Sequence, residues 1–387
     1  MWLVLSACTD PSTTATTGDT ASPTTEPFGC TFPGAFTPVP DSRAVALDGG
    51  PLHPWGLLAD PFVQKDGDRY RMWLTTVDWL GQGEPPWSGA ERVMGTGYLE
   101  SADGIRWDDQ WIAPTSPDRQ ASLVLAPGAW DTLGVETVTV AAPSDGPLVL
   151  LHTGDLPSGG ESGADHAIGL ATSDDGLVWQ RAAAPVLVPE RDWETPICVD
   201  EACTSLLGGV LEPTVVVDPT TGDLRLWYAA WGVADGLFGT RMGAATSRDG
   251  GLTWDRHPDP VFAPGAPGEW DDAIVSHFHV VADPTEGFHL FYYGMALEDA
   301  YACEDLGCAF TPGWIGHAFS EDGLSWQRNP ANPVLRADTA GYERWFLGGP
   351  TVSFEGDTLR MWVFTADTRQ DADEFRLAIE MATATCP

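Results

Sequence analysis

The chain has 387 residues, 43% of them hydrophobic, which is enough for one large domain or two ordinary ones with a buried core. Acidic residues outnumber Lys and Arg by 56 to 19, so the formal net charge is −37. A surface of this charge repels nucleic acids and anionic membranes, and we exclude both as direct partners. The charge otherwise serves solubility.

The first eight residues, MWLVLSAC, form a short apolar run that ends in Cys8. This ending resembles a bacterial lipoprotein signal, which implies export, a lipid on Cys8 and an anchor to the cell envelope. The run is shorter than a usual signal core and no basic residue precedes it, a pattern that a start codon placed too late would explain. Residues 9–29 are rich in Thr, Ser and Pro and are predicted to be a disordered tether.

Seven cysteines leave an even number once Cys8 is assigned to the lipid. We predict three disulfides, the first of which would tie together the two ends of the folded region. The predicted pairs are Cys30–Cys386, Cys198–Cys203 and Cys303–Cys308. A zinc site is the alternative for the two CxxxxC pairs, but no histidine lies at ligand spacing. Disulfides also agree with an oxidising compartment.

The phrase Ser-x-Asp-Gly-x-x-Trp occurs four times, at 101–107, 173–179, 247–254 (with one extra Gly) and 320–326. Its starts are 72, 74 and 73 residues apart, a regular period that indicates a repeat architecture. We interpret the phrase as a tight turn in which the Asp accepts backbone N–H groups and the Trp packs between sheets. It is therefore predicted to lie away from the chemistry.

Two strand-like runs joined by a turn precede each phrase, and a fifth pair at 349–355 and 359–365 has no phrase after it. A Trp with an acidic neighbour recurs between units, as in Trp193-Glu194. No convincing helix interrupts the repeat. These observations predict an all-β fold, a five-bladed β-propeller of four-stranded antiparallel blades over residues 30–387. The segment after Cys30 is predicted to supply the outer strand of the last blade.

Two family resemblances follow from these motifs. The phrase resembles the Asp-box turn of sialidases and other propellers. The frame of five blades, opened by Ala59-Asp60-Pro61, is similar to the five-bladed glycoside hydrolases of the family-43 type over about residues 40–385. The resemblance implies hydrolysis of a neutral glycan, with a base on the first blade and an acid on the third. It is imperfect, because Glu136 replaces the usual Asp of the second blade and Glu212 meets Pro213 without the usual intervening Gly.

The resemblance implies that the first strand of each blade starts at the mouth of the central channel. Aligned on the turns that follow them, they bring five residues to equivalent positions: Asp60, Glu136, Glu212, His277 and Gly349. We predict Asp60 as the base, Glu212 as the acid and Glu136 as an orienting or tuning carboxylate. An acidic residue at a strand start can instead accept backbone hydrogen bonds at a turn.

Further residues are predicted to bind substrate. His277 and His279 lie at the fourth strand start, where a structural role is equally compatible with the pattern. Flat aromatic rings suit sugar stacking, and the Trp residues expected near the mouth are Trp55, Trp79, Trp231 and Trp314. The Trp residues of the repeated strands and phrases are interpreted as core.

Two functions remain open at this stage: a glycoside hydrolase, and a glycan-binding or cell-surface propeller without catalysis. A sialidase would need an Arg cluster at the mouth, and none of the five aligned positions is Arg. A glycan phosphorylase would need cationic groups for phosphate. We assign no metal site and no required cofactor, although a structural calcium ion near the channel is compatible with the sequence. A monomer is expected.

Overall fold

A computed structural model describes most of the chain from residue 31 onward. The described ranges are 31–45, 58–79, 92–107, 130–131, 134–156, 166–198, 206–234, 237–283, 287–297, 313–339, 342–366 and 377–386. The predicted signal segment, the tether, Cys8 and Cys30 lie outside these ranges. Within them, no helix has the length and apolar character needed to cross a membrane.

Five antiparallel sheets follow one another along the chain and form the blades. Blade 1 contains β3 (Leu58–Asp66), β4 (Arg69–Trp79) and β5 (Arg92–Ser101); blade 2 contains β6 (Gly134–Ala141), β7 (Leu148–Asp155), β8 (His166–Ser173) and β9 (Gln180–Arg181). Blade 3 contains β12 (Gly209–Val217), β13 (Leu224–Ala234), β14 (Leu237–Ser247) and β15 (Asp255–Arg256). Blade 4 contains β16 (Ile274–Asp283), β17 (Gly287–Met295), β18 (Trp314–Ser320) and β19 (Gln327–Arg328); blade 5 contains β22 (Phe346–Glu355), β23 (Thr358–Ala366) and β24 (Leu377–Thr385).

The first strands of the blades contact one another in a closed ring, β3–β6–β12–β16–β22 and back to β3. Short elements lie between blades: β10 (Ile197–Cys198) with β11 (Leu206–Leu207), β20 (Asp338–Thr339) with β21 (Tyr342–Glu343), and a 3-10 helix at Asp192–Glu194. The predicted five-bladed propeller is confirmed. The predicted strand runs are also confirmed, with each first strand starting two or three residues earlier than its pattern indicated.

The N-terminal segment completes blade 5, as the sequence predicts. Two short strands, β1 (Thr37–Pro38) and β2 (Ala44–Val45), both pair antiparallel with β24. Cys386 follows β24 and is disulfide-bonded, as is Cys198 in β10. Their predicted partners lie outside the described residues, as do Cys303 and Cys308, so all three pairings stay predictions.

Each repeated phrase forms a turn after the third strand of its blade, at the end opposite the starts of the first strands, and in blades 2, 3 and 4 it leads into the fourth strand. In the first copy, Asp103 Oδ1 accepts the N–H groups of Ile105 and Arg106, both at 2.8 Å. The Ser101 hydroxyl accepts the N–H of Gly104, whose φ of 73° lies in the left-handed region that favours Gly. The phrase is therefore a turn, as predicted, while its likeness to the sialidase turn stays a resemblance.

The turns also join blades, through an Arg-x-Trp motif in the second strands of blades 1, 3 and 5. Each Trp Nε1 donates to the carbonyl of the Gly in another blade's turn, and each Arg donates to the carbonyl of the Asp before it. The Trp–Gly pairs, at 3.0, 2.7 and 2.7 Å, are Trp73–Gly176, Trp227–Gly323 and Trp362–Gly104. The Arg–Asp pairs are Arg71–Asp175, Arg225–Asp322 and Arg360–Asp103. The bonds of Trp362 and Arg360 join blade 5 to the turn of blade 1.

The acidic residues that follow the Trp residues between units are structural. Each is buried and paired with an Arg from the short fourth strand of the next blade: Asp131–Arg181, Glu194–Arg256 and Asp271–Arg328. Tyr228 and Tyr292 of the second strands donate to the carboxylates of Glu194 and Asp271. A buried carboxylate needs this pairing to offset its lost hydration. These three acidic residues therefore stabilise the interior of the blades.

We expect Trp362→Phe to destabilise the fold, because it leaves the buried carbonyl of Gly104 without its donor. The expected cost is about 1–3 kcal/mol in the free energy of unfolding, measured by denaturant titration. Trp326→Phe is the matched control, since Trp326 Nε1 has no acceptor among the described residues. Equal losses in the two variants would show that packing, and not the hydrogen bond, holds blade 5 to blade 1.

Candidate active site

A ring of five residues surrounds one end of the channel. Each first strand has a register shift near its start, and at each shift one residue has a φ of 46–52°: Asp60, Thr137, Glu212, His277 and Gly349. These residues and their neighbours line a cavity that opens to solvent.

The alignment of Glu136 with this ring is wrong by one residue. The residue of blade 2 with positive φ that lines the cavity is Thr137, and Glu136 precedes it. The ring therefore has two carboxylates and not three. Glu136 lies instead with Asp155 and His166, where one ligand atom of each falls within 4.8 Å of the others, the described group that could hold a metal ion.

The ring backbone is strained. Four of the five non-glycine residues with positive φ in the described chain are ring residues, and each such conformation costs on the order of 1–3 kcal/mol. The fifth position is Gly349, where an added Cβ would lie 2.8 Å from the Phe364 ring and 3.2 Å from the Asp60 backbone. Strain of this kind is held only where the surrounding structure determines it, which is typical of functional sites.

His277 lies between the two carboxylates. Its Nε2 is 3.4 Å from Asp60 Oδ1 and its Nδ1 is 3.5 Å from Glu212 Oε1. The His277 backbone N–H donates to Glu212 Oε2 at 2.6 Å. These two contacts and the width of the imidazole put Asp60 Oδ1 and Glu212 Oε1 at most about 9 Å apart. Both carboxylates can therefore reach one glycosidic bond.

The pKa values of Glu212 and His277 are both raised in this site. Burial raises the pKa of Glu212, and this outweighs the lowering by the positive charge and N–H of His277. Burial alone would lower the pKa of His277, but Glu212 and Asp60 reverse it and raise the pKa to about 9. At neutral pH His277 is therefore an imidazolium, and the pKa of Glu212 lies above its ordinary value.

Threonine hydroxyls hold the ring in place. Thr153 accepts the N–H of Glu212 at 2.8 Å and bonds the hydroxyl of Thr137. Further from the mouth, hydroxyls at the second residue after a ring position accept N–H groups of the next first strand: Thr139 from Val215, Thr214 from Val280 and Thr351 from Val63. The first strands are thus joined side to side, which positions Asp60 and Glu212.

His279 occupies the matching position of blade 4. Its Nε2 lies 3.3 Å from the carbonyl of Val352 on the next first strand. Burial lowers the pKa of His279 to about 4, so it is neutral at pH 7. His279 lines the cavity, but this bond gives it the structural role that its pattern left open.

None of the four predicted Trp residues is among the described residues that line the cavity. Trp231 lies within β13, partly buried against the core of blades 3 and 4. Trp314 begins β18, where its ring stacks on Trp270 and the Arg336 guanidinium lies 4.0 Å from its centre. The Trp314 ring is thus already covered. Trp79 ends β4, its side chain outside the described residues, and Trp55 is also outside them.

We expect the stabilising effect of His277 to depend on pH. A histidine whose pKa is about 9 in the folded state and 6.5 in the unfolded state contributes its full stability below pH 6.5 and loses it as the pH rises through 9. The shift corresponds to on the order of 3 kcal/mol. Unfolding of wild type and His277→Gln should therefore differ most at pH 6 and least at pH 10. His257→Gln, in the segment after β15, is the control, and a difference independent of pH would contradict the assignment.

The fold and the site define a class of protein, a five-bladed β-propeller with a carboxylate–histidine–carboxylate group at the channel mouth. Solved structures of carbohydrate-active enzymes have the same fold. A glycoside hydrolase matches with a TM-score of 0.63 and 18% identity over 91% of this chain and 92% of its own. A thermostable family-43 glycoside hydrolase matches at 0.57 and 16%, over 86% and 91%. The β-1,2-mannobiose phosphorylase of Listeria innocua, in complex with β-1,2-mannobiose, matches at 0.58 and 13%, over 90% and 96%.

No family model matches the sequence, and no curated protein matches it. At 13–18% identity these similarities establish the fold alone. They confirm the predicted fold, a five-bladed β-propeller.

Proposed function

We propose that the protein is a glycoside hydrolase that acts on a neutral glycan. The observation that carries this proposal is the placement of Asp60 and Glu212 on either side of His277 in one solvent-open cavity. Hydrolysis of a glycosidic bond needs one carboxylic acid and one carboxylate at a shared site. The two nearly opposite blades of the ring supply them.

In this proposal Glu212 is the general acid. Its raised pKa keeps a proton available for the leaving oxygen, and the His277 N–H stabilises the carboxylate that remains after transfer. Asp60 is the base that takes a proton from the attacking water. His277 lies between them and its positive charge offsets the repulsion of the two carboxylates. Solvent then takes up the proton from Asp60 and supplies a proton to Glu212.

The substrate class follows from charge. The two ring carboxylates and the net charge of −37 disfavour an anionic sugar, which would need cations that the described cavity wall provides only at His277. Neutral glycans of the arabinan or xylan type remain the expectation. Related folds solved with sugars, such as the mannobiose complex, support glycan binding.

We also propose that the enzyme is exported and held by a lipid on Cys8. The apolar run before Cys8, the Thr-rich tether and the disulfide-bonded state of Cys198 and Cys386 support this. Palmitate labelling of wild type but not of Cys8→Ser would test it, and a chain that stays unlabelled would reject the anchor.

The alternatives are a glycan-binding propeller and a phosphorylase, as in one structural neighbour. Incubation with a panel of neutral oligosaccharides, with and without inorganic phosphate, separates all three. We expect reducing sugar at the same rate in both buffers and no sugar phosphate. Sugar phosphate formed only with phosphate would indicate a phosphorylase, and binding by calorimetry without any product would indicate a binding module.

A further inference from the structure

A second group of polar side chains lies beside the ring, in blade 2. Glu136 is in β6, Asp155 ends β7 and His166 begins β8, directly opposite Asp155 in the register of the two strands. One ligand atom from each falls within 4.8 Å of the others, and all three are partly buried. Neither the ring nor the proposed reaction uses these residues.

The orientation of His166 is set from outside the group. Its Nδ1 lies 3.3 Å from the carbonyl of Gly208, which can only accept, so Nδ1 carries the proton. In the neutral imidazole, Nε2 then carries a lone pair, and Nε2 lies 3.6 Å from Asp155 Oδ1. A histidine fixed through Nδ1–H to a backbone carbonyl, with Nε2 turned to carboxylates, has the arrangement of metal-bound histidines.

The backbone around His166 is built for close approach. Gly208 and Gly209 have φ of 125° and 120°, and a Cβ on Gly209 would lie 2.5 Å from the His166 carbonyl oxygen. Gly209 pairs with His166 across the boundary between blades 2 and 3, and Glu212 follows in the same strand. The group is therefore fixed relative to the ring by two glycines.

We propose that Glu136, Asp155 and His166 bind one divalent transition-metal ion of the Zn²⁺ class. Carboxylate oxygen and imidazole nitrogen are both ligands of Zn²⁺, and three protein ligands leave a fourth position open for water. Imidazole disfavours Ca²⁺ and Mg²⁺, which prefer oxygen ligands. The site goes beyond the proposed hydrolase function, and it stands whether or not Asp60 and Glu212 are catalytic.

Calorimetric titration of chelator-treated, tag-free full chain with ZnCl₂ tests the proposal, with CaCl₂ in parallel. We expect one equivalent of Zn²⁺ to bind, and affinity to fall at least about 10-fold in each of Glu136→Gln, Asp155→Asn and His166→Asn. Glu321→Gln, an exposed carboxylate of a turn, is the control and should match wild type. Asp60→Asn should also bind normally, which separates this result from the hydrolase proposal.

Thermal unfolding gives a second readout if one variant folds poorly. Zn²⁺ should raise the Tm of wild type and of Glu321→Gln and raise that of Glu136→Gln less at the same concentration, because weaker binding stabilises the folded state less. Absence of stoichiometric Zn²⁺ binding, equal affinity in wild type and all three ligand variants, or a preference for Ca²⁺ would overturn the proposal.

Discussion

Asp60→Asn is expected to lower kcat/KM by about 10²–10⁴-fold on every substrate that the protein hydrolyses, whatever its leaving group. The amide keeps the size of the side chain and its contact with His277 but cannot take a proton from water. Loss on all substrates is the signature of a missing base, because water attack is needed for every bond. Initial rates across a series of aryl and alkyl glycosides measure it.

The control for this variant is Glu321→Gln, which removes an exposed carboxylate from a turn far along the chain and should keep wild-type rates. The circular dichroism spectrum of Asp60→Asn should remain native, since no backbone bond involves the Asp60 carboxylate among the described contacts. Wild-type rates in a folded Asp60→Asn protein would remove Asp60 from the mechanism.

Glu212→Gln is expected to separate substrates by leaving group. In a natural glycan the leaving group is a sugar hydroxyl, which departs poorly without a proton. Hydrolysis of such a glycan should therefore fall by about 10²–10⁴-fold. An aryl glycoside with an acidic phenol departs without that proton and should retain most of its rate. The amide oxygen can still accept the His277 N–H, so the ring should keep its geometry.

The same variant should change the pH profile. The alkaline fall of kcat/KM that reports the Glu212 proton in wild type should disappear from the aryl substrate profile of Glu212→Gln. Equal loss on natural and activated substrates would contradict the role of Glu212 as acid and would favour a role in binding.

The architecture could be predicted from the sequence because each repeat contains the same short motifs. The turn phrase recurs at regular spacing, and its Ser and Asp make the same local bonds in blades 1, 2 and 4. The Arg-x-Trp motif carried a further signal, since it marks the strands that dock onto those turns. The sequence of blade 5 lacks an outer strand, and this predicted that the N-terminal segment would supply it.

The site was only partly predictable. Asp60, Glu212 and His277 were found because their strand starts align, but alignment on the following turns failed in blade 2, where the strand after the bulge is shorter. Alignment on the threonine two residues later would have identified Thr137. The group of Glu136, Asp155 and His166 could not be found, because it depends on the pairing of β7 with β8. Position in the repeat did not show which Trp faces were already covered, as at Trp314.

The most direct test uses the Asp60→Asn/Glu212→Gln double variant and wild type with the best substrate of the oligosaccharide panel in phosphate-free buffer. Product is followed by sugar release, and affinity by calorimetry. The two ring carboxylates account for catalysis if wild type releases sugar while the double variant binds the same oligosaccharide and releases none above the uncatalysed rate. Sugar release by the folded double variant at a rate near that of wild type would contradict the account.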